Sequence, residues 1–225
     1  MEDNLSFWAF SHSIVIPRLI EGMGITIKLT FISGSIGFIL GMFLAILRVS
    51  RSKILSGLAS IYIGFFRGTP LLLQILFVYF ALPTLLNITL DSFPAGILAL
   101  ALNCAAYLAE IFRAGILSIP KGQTEAARAL GLSHYQTLFK IIIPQTYRRI
   151  IPPVVNEFSA LTKDTSLVSV ISLSELLYVT QRLGAKYLRP WEVYIWSAVG
   201  YLIIVILLST IASKLEKNLM QKGGV

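Results

Sequence analysis

Long apolar runs alternate with short basic segments along this chain. Leu29 to Leu47 and Val193 to Ser213 carry no charged residue, and each is long enough to cross a hydrocarbon core of about 30 Å as a helix. Three further runs predict spans despite polar interruptions. Leu71 to Leu82 is apolar apart from Gln74 and reaches spanning length only if extended back toward Phe65. Phe93 to Ile111 carries Asn103 and Glu110, and Ile150 to Ile171 carries Asn156, Glu157, Lys163 and Asp164. Ile54 to Phe66 is short and bounded by Arg67, so it reads as an interfacial approach to the second span. Leu5 to Leu19, with Phe7, Trp8 and Phe10, predicts an interfacial N-terminal segment over residues 1–20. Acidic Glu2 and Asp3, and the interruption at Pro17 and Arg18, have the wrong pattern for a cleavable signal. The first span is rich in small residues, and Gly37 and Gly41 form one GxxxG that predicts a close packing face.

Composition agrees with this pattern. The 225 residues are 56% apolar and 13% charged, against about 25% charged for a soluble domain. Disorder, a collagen-like repeat and an ordinary cytosolic domain are excluded. The net charge is +8, and its distribution orients the chain. With five spans and the N-terminus outside, the inner segments hold twelve basic residues against Glu125 and Glu216, or +10. The outer segments hold −1, and residues within or beside the spans another −1. The positive-inside rule then places the N-terminus outside and the C-terminus inside, so the basic excess requires no nucleic acid. The basic loop from Arg182 to Arg189 is the one that this orientation leaves outside.

Chemistry-bearing motifs are few. Cys104 is the lone cysteine, and His12 and His134 stand isolated, so neither a disulfide nor a metal site is predicted. No nucleophile–base arrangement and no GxxxxGK[ST] loop occurs. No catalytic residue and no cofactor of its own are therefore assigned to this chain.

The segment from Arg113 to Lys140 is more informative. Pro120, Lys121 and Gly122 predict a turn, and Thr124 to Leu130 an Ala-rich helical stretch closed by Gly131. Ser133 with Gln136 is a capping box opening a second helix that Pro144 kinks or ends. On periodicity alone this is equally a surface hairpin without a partner. Glu125-Ala126-Ala127, followed at fixed spacing by Gly131, Ile141, Ile143 and Pro144, resembles the EAA signature of permease subunits of binding-protein-dependent ABC importers, with Ile143 where that family usually has Leu. Arg67-Gly68-Thr69-Pro70-Leu71, Ala106 to Arg113, Asn156-Glu157 and Lys163-Asp164-Thr165-Ser166-Leu167 resemble its polar amino-acid branch, and the likeness runs from about Gly22 to about Leu215.

This resemblance implies an all-α membrane protein with five transmembrane helices in a type I ABC importer permease fold. It is read as one domain over residues 1–225, with a cytoplasmic coupling loop over 113–144 and an external loop over 172–192. Glu125, Ala126, Ala127 and Gly131 become the positions that dock an ATPase. Small residues suit close helix approach, and an acid in the first helical turn suits the dipole. The implied partners are two ABC ATPase subunits that bind ATP and Mg, a second permease chain, identical or paralogous, and an extracytoplasmic solute-binding protein, in a bacterial cell membrane.

The fourth span carries the polar route. On a helix, Asn156, Glu157, Ser159, Lys163 and Asp164 fall within an arc of about 160°, and ionisable groups in lipid face a cavity, a partner or one another. Two readings stay open: contact with substrate, or a structural ion pair of Lys163 with Glu157 or Asp164. The two acids favour a basic amino acid, arginine, lysine or histidine, with glutamine as the neutral alternative. Glu110 and Arg113, three apart near the inner end of the third span, read as a local pair or a gate. Ser172 and Glu175 form a second capping box, opening an amphipathic stretch that Gly184 closes. An ion-coupled secondary carrier is the rival function. It needs no EAA-like loop, and the inverted repeats of many such carriers are not seen here.

Overall fold

The computed structural model describes residues 6–221; Glu2, Asp3, Leu5 and Lys222, used above for charge and for the N-terminal segment, lie outside them. Every regular element among the described residues is helical. Helix α1, Phe7–Arg48, is a single piece of 42 residues. From Phe7 onward the N-terminal segment is thus continuous with the helix that holds the first predicted span. Ser6 caps it by accepting from Ala9 N.

Helix α2, Lys53–Gly68, is capped by Ser52 and meets α3, Leu71–Leu86, at a bend of 104°. The cause is local. Pro70 disfavours helical geometry in the residue before it, and Thr69 is extended at φ −119°, ψ 148°. The second span therefore cannot continue straight back toward Phe65. Helix α4, Ser92–Leu117, follows, then α5, Lys121–Ala129. Helix α6 is continuous over residues 134–164 and passes into a tighter turn, Thr165–Ile171. Helices α7, Leu176–Tyr187, and α8, Pro190–Gln221, complete the described chain.

Proline does not end α1, α3 or α6. Wider turns occupy Ser11–Val15, Phe77–Ala81 and Leu138–Ile142, each closed by an i→i−5 hydrogen bond and each ending two residues before Pro17, Pro83 or Pro144. A wider turn carries the helix past a residue that lacks an N–H and crowds the preceding turn. Pro144 accordingly neither ends α6 nor separates it from the docking segment.

Among the described residues, three helices are long and apolar enough to cross a membrane: Phe7–Arg48, Ser92–Leu117 and Pro190–Ile211. The bent α2–α3 pair makes a fourth when taken as one span. Helix α1 packs along α4 through its glycines. A Cβ on Gly37 would lie 3.0 Å from Cys104 Cβ, and one on Gly41 would lie 2.9 Å from both Ala105 O and Leu108 Cβ. Around this seam Leu29, Ile75, Leu100, Leu108, Leu161 and Val168 form the main core. A second core joins Phe10, Val15 and Leu19 of α1 to Leu176, Val193 and Ile204. Phe31, Ile39, Phe43, Leu202 and Ile206 are exposed, as a helix bundle in lipid requires.

Candidate functional site

Helix α6 presents the polar face predicted for it. Asn156 and Lys163 are exposed, while Glu157, Ser159 and Asp164 are half-buried. Opposite them, Leu161 and Thr162 are buried, and Phe158 packs so closely on Gly34 that a Cβ there would collide with its ring. That contact fixes which way the polar residues turn. Glu157 and Asp164, seven residues apart on one helix, are about 10 Å apart along its axis. The α-helical geometry ends at Asp164 and tightens over Thr165–Ile171, so the face keeps its register only as far as Asp164. Ser159 donates to Val155 O at 3.0 Å. Lys163 forms no ion pair within 4.0 Å among the described residues, so the lysine bridge is not made with either acid.

The third-span pair forms as its spacing predicts. Arg113 donates to both oxygens of Glu110 in three hydrogen bonds of 3.1, 3.0 and 2.8 Å. Arg67, which the sequence marks as a boundary and as the first residue of the Arg67–Leu71 stretch but assigns to no site, joins them. Its guanidinium lies 4.0 Å from Glu110 Oε2 and 5.2 Å above the Tyr107 ring. A cavity of about 490 Å³ opens beside the cluster, lined by Arg67, Tyr107, Glu110, Arg149 and Pro153 among others. Arg149 closes one side by donating to Ser118 O at 2.6 Å.

The docking segment is built from two caps. Helix α5 starts at Lys121, earlier than predicted, so Glu125 lies beyond its first turn and does not complement the dipole there. At the other end Gly131 has φ +83°, Leu132 N donates to Ala127 O at 3.1 Å and Gly131 N to Arg128 O at 3.0 Å. These are the two bonds of a Schellman stop, which favours glycine at this position. The capping box is present: Gln136 N donates to Ser133 Oγ at 3.2 Å, and Ser133 N to Gln136 Oε1 at 2.8 Å. Ala127 is buried against the bundle, whereas Glu125, Ala126, Gly131, Leu130 and Tyr135 are exposed. Residues 113–117 of the predicted loop belong to α4.

The external segment differs in its cap. Ser172 takes a left-handed conformation at φ +59°, and Glu175 itself caps α7, accepting from Leu177 N at 2.8 Å and Tyr178 N at 2.7 Å. Tyr201 OH donates to the same carboxylate at 2.8 Å, and Leu176 N donates to Thr26 Oγ1 at 3.2 Å. The helix runs past Gly184 to Tyr187. Residues 190–192 of the predicted loop belong to α8.

A helical bundle with lipid-compatible faces, a capped helix pair and a polar face on one helix is consistent in build with a membrane transport subunit. The family of binding-protein-dependent transport system inner membrane components matches residues 37–222, and the chain belongs to it. The chain is 42% identical over 215 residues to the L-cystine transport system permease protein TcyB of Bacillus subtilis (strain 168), covering 95% of this chain and 88% of that protein. It is 40% identical to the arginine transport system permease protein ArtQ of the same organism, covering 96% and 98%. The crystal structure of an amino acid ABC transporter with histidines superposes with a TM-score of 0.87 at 36% identity, covering 96% of this chain and 99% of that one. The type I ABC permease fold and an inner-membrane location follow, and the chain is a transport subunit, not an enzyme.

Proposed function

We propose that this chain forms half of the translocation pathway of an ATP-driven importer for a polar amino acid. The observation that carries the reading is the continuity of α6, which joins the Ser133 cap of the docking segment to the Asn156–Asp164 face without a break. Glu125, Ala126 and Gly131 seat in the ATPase with Ala127 packed beneath them, and α6 carries the motion of that seat to the polar face. Two such chains, or this chain and a paralogue, enclose the pathway. Two ATPase subunits hold ATP and Mg below, and a solute-binding protein delivers substrate above, where α7 lies.

Five spans serve this role, the fifth being the polar helix that apolarity alone does not count, with the N-terminus outside. Asn156, Glu157, Ser159, Lys163 and Asp164 face the substrate, and Glu110 with Arg113 gates its exit. Relatives named for arginine, cystine and glutamine and the two acids support a basic amino acid or glutamine. Uptake of labelled arginine, glutamine and cystine into proteoliposomes holding the assembled complex, with ATP trapped inside, tests the reading. Uptake that needs ATP and the binding protein supports it. Uptake driven by an imposed proton or sodium gradient without ATP overturns it.

A further inference from the structure

The break between α2 and α3 holds an arginine by its backbone on both sides. Because α2 ends at Gly68, its last carbonyls lack helical partners. Gln74 Nε2 reaches back to Phe66 O at 2.9 Å, Thr69 O at 3.1 Å and Thr69 Oγ1 at 2.8 Å. Asn103 of α4 donates to Gln74 Oε1 at 2.9 Å and to Phe66 O at 3.3 Å. Both amides are buried, where a satisfied polar network is strong and specific. Positions 66 and 69 are thereby fixed against α4, and Arg67 falls between them.

The side chain so placed is not consumed by its neighbours. Glu110 is committed to Arg113 through three short hydrogen bonds, leaving Arg67 a single contact at 4.0 Å. Arg67 stays substantially exposed, rests on Tyr107 and lines the 490 Å³ cavity. Pro153, on the same cavity wall, is one helical turn from Glu157. The cavity therefore has a guanidinium on one side, and the Glu157 carboxylate lies one helical turn beyond its Pro153 wall. An amino acid needs that pairing of charges for its carboxylate and its ammonium.

We infer that Arg67 binds the α-carboxylate of the substrate in the pathway, and that Gln74 and Asn103 are its positioning residues. This rests on the proposed function, since it requires amino acids to pass the α6 face. A guanidinium fork matches a carboxylate in two parallel hydrogen bonds. Every amino acid carries that group, so Arg67 recognises the class, and side-chain preference is set elsewhere.

The test uses the purified permease–ATPase complex without the binding protein, so that only the membrane site selects. Labelled L-arginine is bound and competed with L-arginine or L-argininamide, which lacks the carboxylate charge. Wild type is expected to prefer the acid by about tenfold or more, the loss of one charge-assisted pairing. Arg67→Gln abolishes that preference, and Arg67→Lys, which keeps the charge but not the fork, weakens it several-fold. Gln74→Leu lowers the preference as well, a change that a merely structural role would not produce. If Arg67→Gln does not assemble, Arg67→Lys carries the same comparison. Full preference retained in the assembled Arg67 variants overturns the assignment alone. If labelled arginine, glutamine and cystine all fail to bind wild type, the proposed function falls and takes this inference with it.

Discussion

Gly131 ends the docking helix at φ +83°, and nothing lies within 4 Å of where its Cβ would be. A substitution there is penalised by backbone geometry alone. Gly131→Asn is expected to be tolerated best, Gly131→Ala to cost about 1 kcal/mol, and Gly131→Val more, because a β-branched residue resists the left-handed region. Transport per ATP hydrolysed, measured in proteoliposomes, should decline in that order. Gly41 is limited by space instead. Gly41→Leu places a side chain where a Cβ already lies 2.9 Å from Ala105 O, an overpacking cost of about 1–3 kcal/mol. Thermal unfolding of the purified complex should show that loss, and Gly64→Ala, with open space around it, should show none. The roles of Gly41 and Gly131 were legible in the sequence because small residues at helical spacing and a glycine after a helix have direct physical meanings. Arg67 was not, because its partners Tyr107 and Glu110 are some 40 positions away in the chain.

Among the elements, proline was the signal most easily misread. Pro144 predicted a kink or an end to the second docking helix, yet the wider turn at Leu138–Ile142 carries α6 past it. Such a turn holds about one residue more than a regular one, which rotates the docking end by about 100° relative to the polar face. Pro144→Ala permits a regular turn, and the lost register is expected to uncouple hydrolysis from transport while the complex still assembles. Coupled transport at the wild-type ratio would refute that link. The Thr69-Pro70 break was signalled by its proline, but the buried Gln74–Asn103 amides that hold it were not, since single polar residues in apolar runs do not reveal whom they meet. Glu175 was assigned as the second half of a cap and proved to be the cap itself. Burial pushes its carboxyl above the usual carboxylate range, against the pull of its hydrogen bonds to Leu177, Tyr178 and Tyr201. The folded state therefore holds this proton more tightly than the unfolded chain. Its contribution to stability is full below the ordinary carboxylate pKa and is lost as pH rises through the raised folded value. Melting temperature should fall with pH across that window in wild type, and Glu175→Gln should flatten the slope.

For the whole molecule, the all-helical class and the family were legible because long apolar runs and a spaced motif survive without any knowledge of packing. Orientation was argued from charge alone, and it predicts that a cysteine introduced at Lys186 reacts with a membrane-impermeant thiol reagent in intact cells while one at Lys121 does not. Equal labelling at both would reverse or break the topology. The continuity of α6 has one more consequence. From His134 to Glu157 is about 35 Å of helix at 1.5 Å per residue, so the docking segment sits at one end of a lever and the carboxylates toward the other. A tilt of about 10° displaces those ends by about 6 Å relative to each other, the breadth of an amino acid. A rocking of that size below the membrane is enough to decide which side of it the carboxylates face.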